Sequence, residues 1–140
     1  MNILFMCVAN SARSQIAEGL AKQIFGEKAS VESAGSLPKK VNPLAGEVMK
    51  EAGVDLQAHF SKSIEELRPE FVESLNYIIT LCAEEVCPVM ASVTAKKLHW
   101  PLPDPAGHTN LSHQEQLQLF RDTRDALRIK LLDFKAELKL

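Results

Sequence analysis

Ile3-Leu4-Phe5-Met6-Cys7-Val8-Ala9-Asn10-Ser11-Ala12-Arg13-Ser14 stands at the start of the chain. Its first four residues form a continuous apolar run, which predicts a strand buried on both faces of a parallel sheet. After the short polar stretch, Ile16, Ala17, Leu20, Ala21 and Ile24 recur at helical spacing and turn one apolar face inward. Gly26 punctuates the end of that helix. A buried strand, a tight loop and an amphipathic helix open an α/β arrangement, and the rest of the chain continues it.

Ser30-Val31-Glu32-Ser33 predicts a second strand, leading into a loop at Ala34-Gly35-Ser36. Asn42-Pro43 reads as an N-cap followed by proline at the first helical position. Leu44, Ala45, Val48, Met49 and Ala52 then form the buried stripe of a helix stopped by Gly53. Residues 63–75 look helical but interrupted at Pro69. Tyr77-Ile78-Ile79-Thr80-Leu81 has strand composition, and Lys97-Leu98-His99-Trp100 reads as a short edge strand. Ser112 and Glu115 make a capping box for a long helix carrying Leu117, Phe120, Leu127, Leu131, Phe134 and Leu138. Arg124 interrupts that stripe, which favours packing on the protein's own sheet over a coiled-coil seam. The expectation is one α/β domain over residues 1–140, a parallel sheet covered on both faces, with its site beyond the carboxyl ends of the strands.

Composition agrees. The chain has 140 residues, 46% hydrophobic and 24% charged, which suits one domain with a real core. No apolar run approaches the roughly 20 residues of a membrane span. Sixteen basic and eighteen acidic residues give a net charge of −2, no footprint for nucleic acid or an anionic membrane. The first residues lack the features of a signal peptide. Three cysteines, an odd number in a chain that needs no disulfide framework, point to a reducing compartment, the cytosol, and to cysteines kept for chemistry.

Cys7 and Arg13, separated by five residues at a strand-to-helix turn, suit oxyanion binding. Backbone N–H groups of Val8, Ala9, Asn10, Ser11, Ala12, Arg13 and Ser14 can curl round a tetrahedral anion at the positive end of the following helix. Arg13 adds a bidentate clamp. The same field favours the thiolate of Cys7, its nucleophilic form, and the Ser14 hydroxyl is placed to donate to it. The plainer reading makes Cys7 a buried strand-end cysteine and Arg13 a surface residue.

The segment from Cys7 to Ser14 resembles the phosphate-binding loop of the low-molecular-weight protein tyrosine phosphatase superfamily, whose members have a four-stranded parallel sheet with helices on both faces. The resemblance continues through Gln15-Ile16-Ala17-Glu18-Gly19, Ser33-Ala34-Gly35, Val41-Asn42-Pro43, Leu81-Cys82, Cys87-Pro88, Leu98-His99-Trp100 and Asp104-Pro105-Ala106. Those segments are similar to the thioredoxin-coupled arsenate reductase branch. The resemblance implies Cys7 as nucleophile, Arg13 as oxyanion clamp, Asp104 as general acid and Asn10 as a brace of the loop. Two departures stand out. Ala9 occupies a position where the family usually has glycine, and Lys62 replaces a carboxylate with which some relatives bind potassium, so that its ammonium is a candidate to replace the ion.

Cys82 ends the third strand and is expected at the same sheet edge as Cys7; Cys87 follows five residues later. A phosphatase leaves both thiols without a role, whereas a reductase needs two electrons, which a thiol pair ending as a disulfide supplies. The implied relay runs from Cys7 to Cys82 to Cys87, with no tightly bound cofactor and with electrons from reduced thioredoxin. Were 82–87 helical, the two Cα atoms would lie about 8.6 Å apart. A disulfide wants roughly 4.4–6.8 Å, so residues 83–86 are expected to form a loop or an unwinding turn.

Other readings stay open. Cys82 is also read as a core thiol, Cys87 as an incidental loop thiol, and Cys7, Cys82, Cys87 and His99 as a zinc site, although the short cysteine pairs of structural zinc are missing. Asp104 between two prolines is a structural turn if it is not the general acid. Ala106 stands where many phosphatases of the superfamily place an aromatic residue, which favours a small anion over a phosphoprotein. His59, His99, His108 and His113 read as structural or surface residues, Trp100 as packing beneath the acid loop, and Glu84 and Glu85 as solvated. The expected protein is a monomer acting on arsenate with a thioredoxin-like partner; a phosphatase and a thiol-based binder of arsenite or metal are the alternatives.

Overall fold

The computed structural model describes residues 1–83 and 94–140. Strand β1 (Asn2–Cys7) leads through a loop into α1 (Arg13–Phe25), a short 3-10 turn and β2 (Ser30–Gly35). Helices α2 (Pro43–Glu51) and α3 (Pro69–Glu73) precede β3 (Tyr77–Thr80), and β4 (Lys96–His99) and α4 (His113–Glu137) follow. The strands form one all-parallel sheet in the order β2-β1-β3-β4.

The central place of β1 explains its unbroken apolar run. Ile3 and Phe5 face a core shared with α1, α2 and α4, while Leu4 and Met6 face a second core with Leu67, Phe71 and Leu75. All four strand residues are fully buried. Helices therefore cover both faces, as expected. With β2 on one side of β1 and β3 on the other, the chain leaves the first two strands in diverging directions. A crevice opens at the carboxyl end of β1, the switch point where open α/β sheets bind ligands.

The boundaries follow local chemistry. Asn42 caps α2, its Oδ1 accepting from Leu44 N at 2.9 Å. Ser112 and Glu115 form the expected capping box of α4. The apolar stripe of α4 packs into the core of its own sheet, and Arg124 points elsewhere, donating from Nη1 to Val48 O and Glu51 Oε1, both at 2.8 Å. Over 63–75 the expectation is refined: a 3-10 turn at Ile64–Glu66 comes first, and Pro69 opens α3 at its first position. Arg68 before it is extended, as a residue preceding proline must be.

Strand β2 runs two residues further than the sequence suggests, through Ala34 and Gly35. Gly35 pairs with Cys7, and a Cβ there would meet the Val8 carbonyl oxygen at 2.4 Å. The glycine is required for close approach of two backbones. Beyond β4, the Trp100 ring stacks at 6.3 Å from Phe5 and 5.5 Å from Phe134, anchoring the segment that leads to Asp104. Among the described residues no helix is long and apolar enough to cross a membrane.

Candidate active site

The loop from Val8 to Ala12 has its carbonyls turned outward. Val8 O accepts from Leu37 N at 2.9 Å, Ala9 O from Lys39 N at 2.8 Å, Ser11 O from Asn42 N at 2.9 Å and Ala12 O from Ile16 N at 2.9 Å. The N–H and C=O of one peptide point opposite ways, so each outward carbonyl turns the next N–H inward. Asn10 N shows the result, donating to Cys7 Sγ at 3.3 Å. Helix α1 starts at Arg13 with no side-chain cap and no acidic residue in its first turn, which leaves its positive end for an anion. Ala9 keeps a negative φ; the left-handed residue of the loop is Asn10, with φ 49°. Alanine in place of glycine is therefore accommodated.

Cys7 is a buried free thiol. Ser14 Oγ lies 2.9 Å from its sulfur. Asn10 Nδ2 donates to Ser14 Oγ at 2.7 Å and to Ser33 Oγ at 2.9 Å, so Asn10 does brace the loop. Arg13 is nearly buried; its Nη1 donates to Leu102 O at 2.9 Å and its Nη2 lies 3.7 Å from Asp104 Oδ2. Arg13 and the loop of Asp104 are thus brought together. Asp104, about half exposed, accepts on Oδ1 from Ala106 N at 3.0 Å, and its backbone oxygen accepts from His108 Nε2 at 3.0 Å.

A buried polar network behind the loop was not legible from the pattern of apolar residues. Ser33 Oγ donates to Glu18 Oε1 at 2.5 Å, and Glu18 is paired with Lys22 at 2.6 Å and Lys62 at 3.8 Å. The buried Lys62 ammonium also lies 3.2 Å from Glu32 and 5.0 Å from the Phe60 ring centre. A cation thus sits between two carboxylates, through a lysine side chain. His59 Nδ1 is 3.0 Å from Gln15 Oε1 and 3.6 Å from Glu18. Burial holds its imidazole below the usual histidine value, against the opposing pull of Glu18. Gln15 and Glu18 sit three residues apart on α1, all of whose first nine residues are buried. Two polar residues in that helix start were the available signal.

Cys82 is buried and disulfide-bonded. Cys87, Glu84, Glu85 and all but the first of residues 83–86 lie outside the described residues. His99 Nδ1 is 2.7 Å from Thr80 Oγ1, and His113 is 3.7 Å from Glu47. Among the described residues no three His, Cys, Asp or Glu side chains gather as a metal site.

A buried cysteine at a switch-point strand end, cradled by inward N–H groups and near an arginine and a carboxylate, is an arrangement able to hold a tetrahedral anion. The chain belongs to the low molecular weight phosphotyrosine protein phosphatase family, which it matches over residues 2–140. Within that family it is 39% identical over 136 residues to the arsenate reductase of Staphylococcus aureus (strain Newman), covering 96% of this chain and 95% of the relative. A solved structure described as an arsenate reductase in the phosphate binding state superposes with a TM-score of 0.78 at 28% identity, covering 97% of each chain. A Corynebacterium glutamicum thioredoxin-dependent arsenate reductase superposes with a TM-score of 0.64 at 31% identity, covering 94% of this chain and 61% of that one.

Proposed function

We propose that this protein is an arsenate reductase that passes oxidation along three cysteines and is recycled by thioredoxin. The observation that carries the reading is the Cys7 thiol inside an oxyanion cradle with Cys82 two residues beyond the end of the neighbouring strand β3, rather than on it. Met6 pairs with Thr80, and Leu81 N donates to Met6 O at 3.0 Å. Cys82 is the next residue, so the chain brings it to the same end of the sheet as Cys7. The identity with arsenate reductases over nearly the whole chain supports the substrate.

In the first step the Cys7 thiolate attacks arsenic, Asp104 protonates the departing oxygen, and a thiol–arsenate adduct forms. Arg13 and the inward N–H groups hold the remaining oxygens. The Cys82 thiolate then attacks Cys7 Sγ. The new S–S bond replaces the S–As bond, whose electron pair goes to arsenic, and arsenite leaves. Cys87 attacks Cys82, freeing Cys7 as thiolate and moving the disulfide outward. Two thiols of thioredoxin reduce it.

The test is arsenate-dependent NADPH consumption with purified protein, thioredoxin and thioredoxin reductase. Consumption far beyond one equivalent is expected; none, with folded and reduced protein, overturns the thioredoxin-coupled reading. A second reading has one observation in its favour: Cys7, Arg13 and Asp104 are all that phosphate-ester hydrolysis requires. Bound phosphate cannot be reduced by thiols, so a weak phosphatase activity is the expected side reaction.

A further inference from the structure

Asn10 combines a left-handed backbone, φ 49°, with complete burial. Asparagine enters that region more readily than most residues, but a buried residue also needs its polar atoms satisfied. Gln15 supplies much of that. Its Nε2 donates to Asn10 O at 3.0 Å, to Asn10 Oδ1 at 3.1 Å and to Phe60 O at 3.2 Å. Its Oε1 faces His59 Nδ1 at 3.0 Å, which fixes the direction of the amide. Gln15 is itself fully buried and has no part in the chemical steps above.

We infer that Gln15 is a positioning residue: by gripping both oxygens of Asn10 it holds the left-handed turn that aims Asn10 N–H at Cys7 and shapes the cradle for a tetrahedral oxyanion. This rests on the oxyanion-site reading of the loop. Two variants separate positioning from packing. Gln15→Met keeps the volume and removes every hydrogen bond. It should still fold, because Asn10 O keeps Ser61 Oγ at 2.7 Å and Asn10 Oδ1 keeps Lys62 N at 3.0 Å. Gln15→Glu, when ionised, sets an acceptor against three acceptors; when protonated, it regains one donor.

The probe is sulfate, whose charge is constant across the pH range used, with affinity read by calorimetry and Cys7 reactivity by its alkylation rate. Gln15→Met should bind sulfate about tenfold more weakly and alkylate more slowly, the loss of about one hydrogen bond's worth of orientation. Gln15→Glu should be equally weak near about pH 8 and approach the wild-type affinity near about pH 5. Gln15→Met within twofold of wild type in both readouts overturns the inference. Should that variant not fold, Gln15→Glu decides, and a profile parallel to wild type at every pH overturns it. Wild-type protein that binds no sulfate refutes the oxyanion reading itself, a result distinct from either.

Discussion

The Ser14 hydroxyl lies 2.9 Å from the Cys7 sulfur while accepting from Asn10 Nδ2 at 2.7 Å. Its hydroxyl hydrogen is free to turn toward the sulfur. In that rotamer Cys7 receives two donors, this one and Asn10 N–H. Ser14→Ala should slow alkylation of Cys7 at neutral pH by about fivefold to tenfold, the effect of one hydrogen bond of about 1 kcal/mol or slightly more. An unchanged alkylation rate assigns the serine to packing.

Asp104 faces Arg13 from a half-exposed position, so its charge competes with an incoming anion for the same guanidinium. Asp104→Asn should lower the turnover of an aryl phosphate by about 10²–10⁴-fold while leaving sulfate affinity equal or tighter. A variant that loses affinity and keeps turnover contradicts the general-acid role.

The relay is separable by cysteine variants. Cys7→Ser should abolish both arsenate reduction and aryl phosphate hydrolysis. Cys82→Ser should abolish reduction and spare hydrolysis, and Cys87→Ser should release one arsenite per enzyme and then stall. Normal thioredoxin-dependent reduction by Cys82→Ser would falsify the relay.

Lys62 lies between Glu18 and Glu32, nearly buried. Lys62→Met leaves two carboxylates facing each other without it, although Lys22 still holds Glu18. The loss should be about 2 kcal/mol, less than that for a lone buried pair, or a melting temperature lower by about 6 °C. A melting curve that does not move shows the pairing to be energetically neutral.

His59 adds a pH dependence. Its folded-state value lies below the ordinary 6.5 because of burial, so the unfolded chain binds more protons just below that pH. Stability is therefore highest above about pH 6.5 and falls as pH is lowered through it. Glu51, held down to about 2 by Arg121 and Arg124, and Glu115, lowered by its capping contacts, act below their ordinary 4.5, in a separate window. Melting temperatures between about pH 7.5 and pH 5.5 should fall for the wild type and stay flatter for His59→Gln.

The strands, the helix starts and the loop after β1 are legible because each is written in contiguous residues: the apolar run at Ile3–Met6, the Asn42-Pro43 cap, the Ser112–Glu115 box, and Cys7 to Ser14. Pro69 was read as a break when it is a start, since a proline serves either purpose and only the extended Arg68 decides. The end of β2 was missed because Gly35 looks like a turn residue, while its need is the nearness of Val8, which no local pattern reveals. The network of Gln15, Glu18, Ser33, His59 and Lys62 was hidden for the same reason. Its members come from three separate segments, and each taken singly is an ordinary surface residue.

The carbonyls of residues 8–11 each have a partner among Leu37, Lys39, Asn42 and Ser61, all of which emerge from the ribosome well after the loop itself. Cys7 precedes all of them in the chain, and its cradle cannot be assembled until the chain through Ser61 is available. A chain ending before that point carries Cys7 in an unshaped loop, without the groups that the folded loop aims at its sulfur. Organisation of the site is thus a late and non-local folding event, and the amides of Leu37, Lys39 and Asn42 are the places where hydrogen exchange would report its completion.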